Sequence, residues 1–213
     1  MLDSSDGWAV GDGGMILRYS GGSWGVVSSP TSKTLRSIFM FSQSDGWAVG
    51  DGGTILRFQG GPQWVMIGSP TTNDLRSVNL LDSNHGWIVG AGGTILHYDG
   101  TVWSSASAFT SSNLNSVFQV NSQEAWAVGD SGTIIEWTGV AWYPYTPSPP
   151  LLGNPDLHSV FFSGSQGLIV GAPPSPGTQA TVLPIPEMTT APILLVLLLA
   201  SILIVVRKLR YRT

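Results

Sequence analysis

The sequence repeats one pattern of about forty residues, and this repeat constrains the fold more than any other feature. One tryptophan opens a short apolar run in each unit, at Trp8, Trp47, Trp87 and Trp126, with spacings of 39, 40 and 39 residues. A second marker follows at Trp24, Trp64, Trp103 and Trp142, and a Leu-x-Ser-(Ile/Val) motif opens units at 35–38, 75–78, 114–117 and 157–160. Three markers in one period predict a tandem-repeat architecture.

Each unit divides into four short apolar runs, for example 75–81, 86–90, 94–98 and 102–106, separated by glycine, aspartate and asparagine. These residues favour turns, because glycine reaches positive φ and Asx side chains bond their own backbone. With 27 glycines, 14 prolines and 10% charged residues, the composition is that of a turn-rich β protein. A small four-stranded sheet must pack on its neighbours, so the sequence predicts an all-β propeller of about four blades over 1–172.

The two ends of the repeat region fall at the same point of a blade. The first unit begins in its second strand and the last ends at 171, again after a second strand, so we count seventeen strands. A closed propeller usually completes its ring by pairing strands from both termini. Residues 1–6 also lack the basic start and apolar core of a secretion signal. We therefore expect an incomplete ring in an N-terminally truncated reading frame.

The run Gly-Trp-Ala-Val-Gly-x-x-Gly-x-Ile-Leu at 46–56 resembles the blade motif of the photosystem II stability and assembly factor propellers. The resemblance covers residues 3–172 and implies the propeller fold, with assembly of a membrane complex as one function. The turn at 98–103 is similar to a degenerate Asp-box, the structural hairpin of sialidase propellers. Both motifs identify a fold more securely than an activity.

Charge is distributed unevenly along the chain. All thirteen acidic residues precede position 190 and only five basic residues do, which gives this part a net charge of −8, whereas the last seven residues carry Arg207, Lys208, Arg210 and Arg212. An acidic body without a basic cluster does not suit nucleic acid, which needs a clustered positive surface. The chain has no cysteine, so disulfides and thiolate metal sites are excluded.

The C-terminal part predicts a membrane anchor. Residues 191–206 carry no charge and twelve of them are Leu, Ile or Val, which suits a transmembrane helix. The basic cluster at 207–213 would remain in the cytoplasm by the positive-inside rule and place the propeller outside. Residues 173–190, rich in Pro, Ser and Thr, are predicted to be a linker that holds the propeller off the membrane.

A short motif precedes the predicted helix, at Pro186, Glu187 and Met188. The order of Pro-Glu motif, hydrophobic helix and basic end is similar to the C-terminal sorting signals that exosortases and archaeosortases cleave. Those signals usually have Phe or Pro where Met188 stands. The resemblance implies a sorting transpeptidase as a partner, and a simple membrane anchor is the alternative.

The candidate catalytic and metal-binding groups follow the repeat instead of forming a site. Asp12, Asp51 and Asp130 share one blade position, at which Ala91 breaks the series, so we interpret them as turn formers. The three histidines, His85, His97 and His158, fall at three different positions of the repeat, which does not favour a shared metal or a general base. We predict no enzymatic activity, no cofactor and no metal.

Four arginines are the most distinctive polar residues of the body. Arg18 and Arg57 lie in third strands, and Arg36 and Arg76 lie in first strands. Neighbouring blades would align them in two rows, which make a cationic patch for a carboxylate-bearing peptide or glycan if they surface on one face. In the alternative, the aliphatic stems pack between blades and the heads are solvated or paired with aspartate or backbone.

The leading hypothesis is a membrane-anchored propeller, displayed on the cell surface, that binds a protein or glycan of the cell envelope. The alternative is an assembly factor for a membrane complex, which depends on the family resemblance alone. A sialidase-like hydrolase is the third, and it would need an arginine cluster with a Tyr-Glu pair that the sequence does not offer.

Replacing both Leu197 and Leu198 with arginine tests the predicted anchor. Each charge near the helix centre costs about 2.5 to 3.5 kcal/mol on the insertion scale. The twelve aliphatic residues favour insertion by about 4 to 7 kcal/mol in total, at ~0.3 to 0.6 kcal/mol each. We expect the double variant to leave the membrane fraction on sedimentation after a high-salt wash, whereas the Glu187→Ala control remains there. A double variant that still sediments with membranes would mean that the propeller itself binds the envelope.

Overall fold

The computed structural model describes residues 6–148, 150–151, 153–173 and 180–185. These residues form eighteen strands in five antiparallel sheets, each a meander in which consecutive strands pair. Three sheets have four strands, and the first and last have three. We number the sheets blades 1 to 5 along the chain. The predicted all-β architecture of four-stranded blades is confirmed.

The strands have the following bounds. Blade 1 contains β1 (Gly7–Val10), β2 (Ile16–Ser20) and β3 (Ser23–Val27), and blade 2 contains β4 (Leu35–Ser42), β5 (Asp45–Gly50), β6 (Thr54–Phe58) and β7 (Val65–Ile67). Blade 3 contains β8 (Leu75–Leu80), β9 (Gly86–Gly90), β10 (Ile95–Tyr98) and β11 (Trp103–Ala106). Blade 4 contains β12 (Leu114–Asn121), β13 (Glu124–Gly129), β14 (Ile134–Trp137) and β15 (Trp142–Pro144), and blade 5 contains β16 (Leu157–Ser163), β17 (Gln166–Gly171) and β18 (Thr181–Ile185).

Strand β18 differs from the sequence expectation, because it lies in the segment predicted to be a linker. It pairs with β17 over its whole length, from Gly167 opposite Ile185 to Gly171 opposite Thr181. Ile185 is 5% exposed and joins the core of blades 4 and 5. A second strand leaves its outer edge open to pairing, and this apolar stretch supplies the partner. Blade 5 therefore has three strands instead of the two counted from the sequence.

The two tryptophan markers meet at the contacts between blades. Trp47 in the second strand of blade 2 packs edge-on against Trp103 in the fourth strand of blade 3, with ring centroids 5.3 Å apart at 89°. The pairs Trp8–Trp64 and Trp87–Trp142 repeat this geometry at 5.5 and 5.1 Å. Edge-to-face rings with centroids at this distance attract each other in addition to burying apolar area. The fixed tryptophan spacing therefore encodes the stacking of blades.

The Leu-x-Ser motif also encodes a contact between blades. The hydroxyl of Ser37 accepts a hydrogen bond of 3.2 Å from the backbone N–H of Val78 in the next blade. Ser77 accepts from Val117 and Ser116 accepts from Val160 at the same distance. These bonds hold the first strands β4, β8, β12 and β16 side by side, because each pairs a backbone N–H of one blade with a side chain of the neighbouring blade.

The glycine that ends each Trp-(Ala/Ile)-Val-Gly run is required by a close backbone approach. A Cβ on Gly90 would lie 2.2 Å from the carbonyl oxygen of Asp74, and one on Gly129 would lie 1.9 Å from that of Asn113. The Asp74 carbonyl lies where this Cβ would stand, because it accepts a 2.8 Å hydrogen bond from the N–H of Ala91, the residue after Gly90. The equivalent Gly11 of blade 1 has no atom within 4 Å of such a Cβ.

Blade 1 presents an apolar face that is buried at the same repeat positions in blade 2. Trp64 and Leu56 of blade 2 are 2% and 0% exposed, because they pack on blade 1. Trp24, the equivalent of Trp64, is 49% exposed, and Leu17, the equivalent of Leu56, is only partly buried. Among the described residues, no blade covers this face.

Several predictions about the C-terminal part concern residues that the structure does not describe. The predicted helix at 191–206, the motif Pro186, Glu187 and Met188, and the basic cluster at 207–213 lie outside the described residues. Within the described part of the chain, no helix has the length and apolar character needed to span a membrane.

Gly90→Ala and Gly11→Ala form a matched pair that tests the close approach. The methyl group at position 90 must displace the Asp74 carbonyl, which directly precedes β8. Overpacking of this kind lowers the free energy of unfolding by about 1 to 3 kcal/mol. At 11 the methyl group meets open space, so the free energy of unfolding should change by no more than about 0.5 kcal/mol. Urea unfolding followed by tryptophan fluorescence measures both. Equal destabilisation of the two variants would contradict this role of the glycine.

Candidate binding face

The second residues of the first strands lie at the end of the blades that carries the short 3₁₀ turns. These residues are Arg36, Arg76, Asn115 and His158, and the turns span Asp12–Gly14, Asp51–Gly53, Ala91–Gly93 and Asp130–Gly132. Since the serine bonds align the first strands, the four side chains follow one another from blade to blade. We call this end of the blades the turn face.

The residue before each Leu-x-Ser motif holds two turns of the turn face together. The Asp74 carboxylate accepts a 2.8 Å hydrogen bond from Gly52 N–H in blade 2, while its carbonyl accepts from Ala91 N–H in blade 3. Asn113 accepts from Gly92 and Asp130 N–H, and Asp156 accepts from Ser131 and Ala172 N–H, in the same way. The sequence analysis missed this position. Its signal was an oxygen-bearing side chain in every unit, at Thr34, Asp74, Asn113 and Asp156.

Arg36 is a half-exposed cation of the turn face, with 42% of its side chain accessible. Its Nε donates to the carboxylate of Asp51, and this bond raises the pKa of the guanidinium against the opposing effect of burial. Asp74 and Asp12 contribute further attraction. Among the described residues, no group accepts from its two Nη atoms, so they are available to a ligand.

Arg76 belongs to a network that crosses from blade 3 to blade 5. Its Nη1 donates to the Oδ1 of Asn115, whose Nδ2 lies 2.8 Å from both the Oδ1 of Asp130 and the carbonyl oxygen of Leu157. Burial would raise the pKa of Asp130, but the hydrogen bonds from Asn115 and Asn113 and the charges of Arg76 and His158 outweigh it. The pKa of Asp130 is therefore lowered, and the carboxylate stays ionised in this network.

Arg18 and Arg57 lie at the opposite end of the blades. Arg57 contacts Asp45, the first residue of β5, whereas Arg36 contacts Asp51, just after the last residue of β5. A six-residue strand separates these points by roughly 20 Å. The structure thus brings Arg36 and Arg76 to one face and does not bring all four arginines together.

Both of these remote arginines are held by ion pairs and aromatic rings. Arg18 forms two bonds to Asp6, at 2.8 and 3.3 Å, and lies 5.0 Å from the ring of Trp8. Arg57 pairs with Asp45 at 3.4 Å and lies 4.7 Å from the ring of Trp47. These contacts match the alternative in which the stems pack between blades and the heads pair with aspartate.

The aspartates interpreted as turn formers do begin 3₁₀ turns, which confirms their position. Ala91 begins the same turn, and its carbonyl accepts from Thr94 N–H at 3.1 Å as that of Asp130 accepts from Thr133 at 3.2 Å. The backbone therefore makes the turn without a carboxylate. The carboxylates instead bond side chains near the next blade, since Asp12 accepts from Thr34 at 3.1 Å.

The histidines lie apart from one another in different environments. His85 contacts Asp82 at 2.9 Å, and the ring of His97 packs on Trp87 with centroids 4.5 Å apart. In the described part of the chain, no three His, Asp or Glu side chains come close enough to hold a metal ion.

The hairpin predicted from the Asp-box resemblance connects β10 and β11, with Tyr98 paired to Trp103. The Oδ1 of Asp99 accepts from Val102 N–H at 2.9 Å, and from both the N–H and hydroxyl of Thr101 at 2.9 and 2.7 Å. These bonds, with that from Val102 the strongest influence, lower the pKa of Asp99 to about 2. The aspartate therefore organises the turn.

Known proteins resemble this chain in structure. One is described as YCF48 bound to D1 peptide, with a TM-score of 0.62, 18% identity and coverage of 86% of this chain and 64% of that chain. YCF48 from Cyanidioschyzon merolae has a TM-score of 0.62, 15% identity and coverage of 77% and 60%. The WD40 propeller domain of Doa1 has a TM-score of 0.62, 13% identity and coverage of 78% and 57%. No family model and no curated protein matches the sequence.

At these identities the likeness shows the fold, which is that of a β-propeller. The propeller predicted from the repeats is therefore confirmed, and the assembly-factor propellers named by the sequence motif are among the structural neighbours. The chain spans 64% or less of the length of these three structures.

The low pKa of Asp99 predicts how the hairpin responds to acid. The folded-state pKa of about 2 lies below the ordinary aspartate pKa of 3.8, so ionised Asp99 stabilises the hairpin above the unfolded pKa. That stabilisation is lost as the pH falls through the folded pKa. Carboxyl ¹³C NMR should give a titration midpoint near 2 for Asp99, and a midpoint near 4 would contradict the hydrogen bonding described.

Proposed function

We propose that this protein is a non-enzymatic propeller scaffold that binds a protein partner through the turn face, with Arg36 and Arg76 as the contact residues. The observation that carries the proposal is an exposed guanidinium with free donors on a body whose net charge is −8. Arginine recognises carboxylates through parallel N–H donors. We therefore expect the bound segment to present a carboxylate, from an acidic side chain or a chain terminus.

The surroundings of Arg36 and Arg76 support this role. Asp51 orients Arg36 through Nε and leaves the Nη edge directed away from that bond. Asn115 holds Arg76 in place while itself fixed by Asp130 and Leu157. A cation oriented before binding loses less side-chain entropy when it captures its ligand.

The structural neighbours support a protein ligand as a class. One of them, YCF48, is described with a D1 peptide bound. An assembly-factor role for a membrane complex is accordingly the second candidate, and it would use the same turn face. Fold alone does not transfer an activity, so the partner must be found experimentally.

We further propose that the scaffold works outside the cytoplasm at the membrane. This part of the proposal rests on the apolar segment 191–206, the basic residues after it and the Pro-Glu-Met motif before it. A cell-envelope protein or glycan, presented near the membrane, would then be the natural partner.

The binding test uses peptides selected on the full chain in detergent micelles from random decapeptides with free C-terminal carboxylates. We expect Arg36→Gln and Arg76→Gln each to weaken binding by roughly tenfold or more, because a hydrogen bond to a charged group is worth about 1.5 to 3 kcal/mol. Lys33→Gln is the matched control, because Lys33 contacts Gly52 on the same face and the substitution removes the same charge. Fluorescence anisotropy measures the affinities. Equal effects at all three positions, or no selected peptide, would contradict the proposal.

A further inference from the structure

Blade 1 differs from the other blades because no described residues form its first strand. Its sheet has the order β1-β2-β3, whereas every other sheet begins with a Leu-x-Ser strand that pairs with the second strand. Strand β1, with the Gly-Trp-Ala-Val sequence of a second strand, pairs only with β2 among the described strands. Its other edge therefore presents backbone groups to a further strand. We call the place between this edge and β4 the open position of blade 1.

The turn after β1 has a backbone donor that is paired in every other blade. In those blades, the residue after the terminal glycine of the second strand donates its N–H to the carbonyl of the residue before the Leu-x-Ser motif. These bonds of 2.7 to 3.0 Å join Asp51 to Thr34, Ala91 to Asp74, Asp130 to Asn113 and Ala172 to Asp156. The equivalent donor of blade 1 is Asp12 N–H, and no described group accepts from it. It points to a strand carbonyl that the described residues do not supply.

The space above Gly11 is open where its equivalents are in close contact. A Cβ would lie 1.9 to 2.6 Å from the carbonyl oxygen of the residue before the motif if it were built on Gly50, Gly90, Gly129 or Gly171. A Cβ on Gly11 would meet no atom within 4 Å. The backbone at Gly11 thus has the room that a first strand takes up in the other blades.

Three apolar side chains around the open position are less buried than their equivalents. Val10 of β1 is half-buried, whereas its equivalents Val49, Val89 and Val128 are fully buried. Ile38 and Met40 of β4 are half-buried as well, whereas the residues at these two positions in blades 3, 4 and 5 are buried. A strand in the open position would remove this apolar surface from water.

The other blades specify which strand fits. Its serine hydroxyl would accept a hydrogen bond from Ile38 N–H, as Ser37 accepts from Val78 N–H one blade further along. The residue directly after the motif faces the next blade, where the ring of Phe118 lies 5.6 Å from that of Phe162. The strand would run antiparallel to β1, as β4 runs to β5.

We propose that the open position of blade 1 binds an extended segment of a partner protein, which carries the Leu-x-Ser-(Ile/Val) motif and adds to β1 as an antiparallel strand. Strand addition gives affinity through backbone hydrogen bonds and specificity through alternate side chains. A second copy of this chain does not fit, because each described motif strand is already paired within its own blade. A further copy of the motif, Leu199-Ala200-Ser201-Ile202, lies in the apolar segment that we expect to span the membrane.

The test uses a fluorescent peptide that copies residues 112–122 and the full chain in detergent micelles. Fluorescence anisotropy measures the affinity, and NMR measures hydrogen exchange at Asp12 and Ile38, whose N–H groups gain acceptors from the added strand. We expect saturable binding with slower exchange at both amides. The same peptide with Ser116→Ala should bind roughly two- to tenfold more weakly, because it lacks one hydrogen bond.

Gly11→Ala separates this position from any other peptide site on the chain. Its methyl group meets open space in the free chain and the carbonyl of an added strand in the complex, so we expect binding to weaken by roughly tenfold or more. Gly25→Ala is the matched control, since Gly25 of β3 also has no atom within 4 Å of such a Cβ and lies away from β1. No saturable binding, or equal binding by the two variants, would overturn the proposal. The exchange at Asp12 and Ile38 decides if Gly11→Ala does not fold, and unchanged exchange there would overturn it as well.

Native mass spectrometry of the protein purified from its natural membranes identifies the source of the strand. We expect a single polypeptide that takes up the peptide, or a complex with a second protein that the peptide displaces. A single polypeptide that takes up no peptide would mean that it supplies its own strand, and a dimer that Gly11→Ala separates would assign the position to a second copy. Either result would overturn the proposal. Binding at the turn face is measured with its own peptides on the arginine variants, so the two proposals fail independently.

Discussion

The fold depends on the edge-to-face contact between a tryptophan in the second strand of one blade and a tryptophan at the start of the fourth strand of the next, or directly before it. A single blade is too small to bury both of its faces, so each sheet is stable only against its neighbours. The rings supply that cover at Trp8–Trp64, Trp47–Trp103 and Trp87–Trp142. At the contact between blades 4 and 5, Tyr145 and Phe162 cover Trp126 instead, with the Tyr145 ring 4.9 Å away. Where no described blade precedes, as at Trp24 of blade 1, the ring is exposed.

Most of the architecture could be predicted because the repeat markers are the residues that make the contacts between blades. The tryptophan spacing, the Leu-x-Ser motif and the terminal glycine of the apolar run each correspond to one such contact. Strand β18 could not be predicted, since Thr181–Ile185 has no repeat marker and Pro184 within it disfavours a strand. Its pairing comes from the open edge of β17, which is a property of the assembled sheet.

The candidate sites were harder to predict, because they arise from differences between equivalent positions. The sequence predicted two rows of arginines, formed by Arg18 with Arg57 and by Arg36 with Arg76. The end of the blades at which each row lies follows from the ion pairs, which join Arg36 to Asp51 and Arg57 to Asp45. The repeat indicated that the first unit begins in its second strand, but the groups left open there, Asp12 N–H and the space above Gly11, follow from the contacts of the other blades. The repeat supplies a uniform scaffold, and departures from it supply the candidate binding chemistry.

Specific coupling between tryptophans of adjacent blades holds the propeller together, and a double-mutant cycle measures this coupling directly. Trp47→Phe and Trp103→Phe, singly and together, should give an interaction energy of about 0.5 to 1.5 kcal/mol in urea unfolding, because the two ring centroids are 5.3 Å apart. Trp47 and Trp142 belong to different contacts between blades, and their rings do not form a pair. The effects of Trp47→Phe and Trp142→Phe on the free energy of unfolding should therefore add. Equal coupling in both cycles, or none in the first, would contradict the claim that these rings hold the blades together.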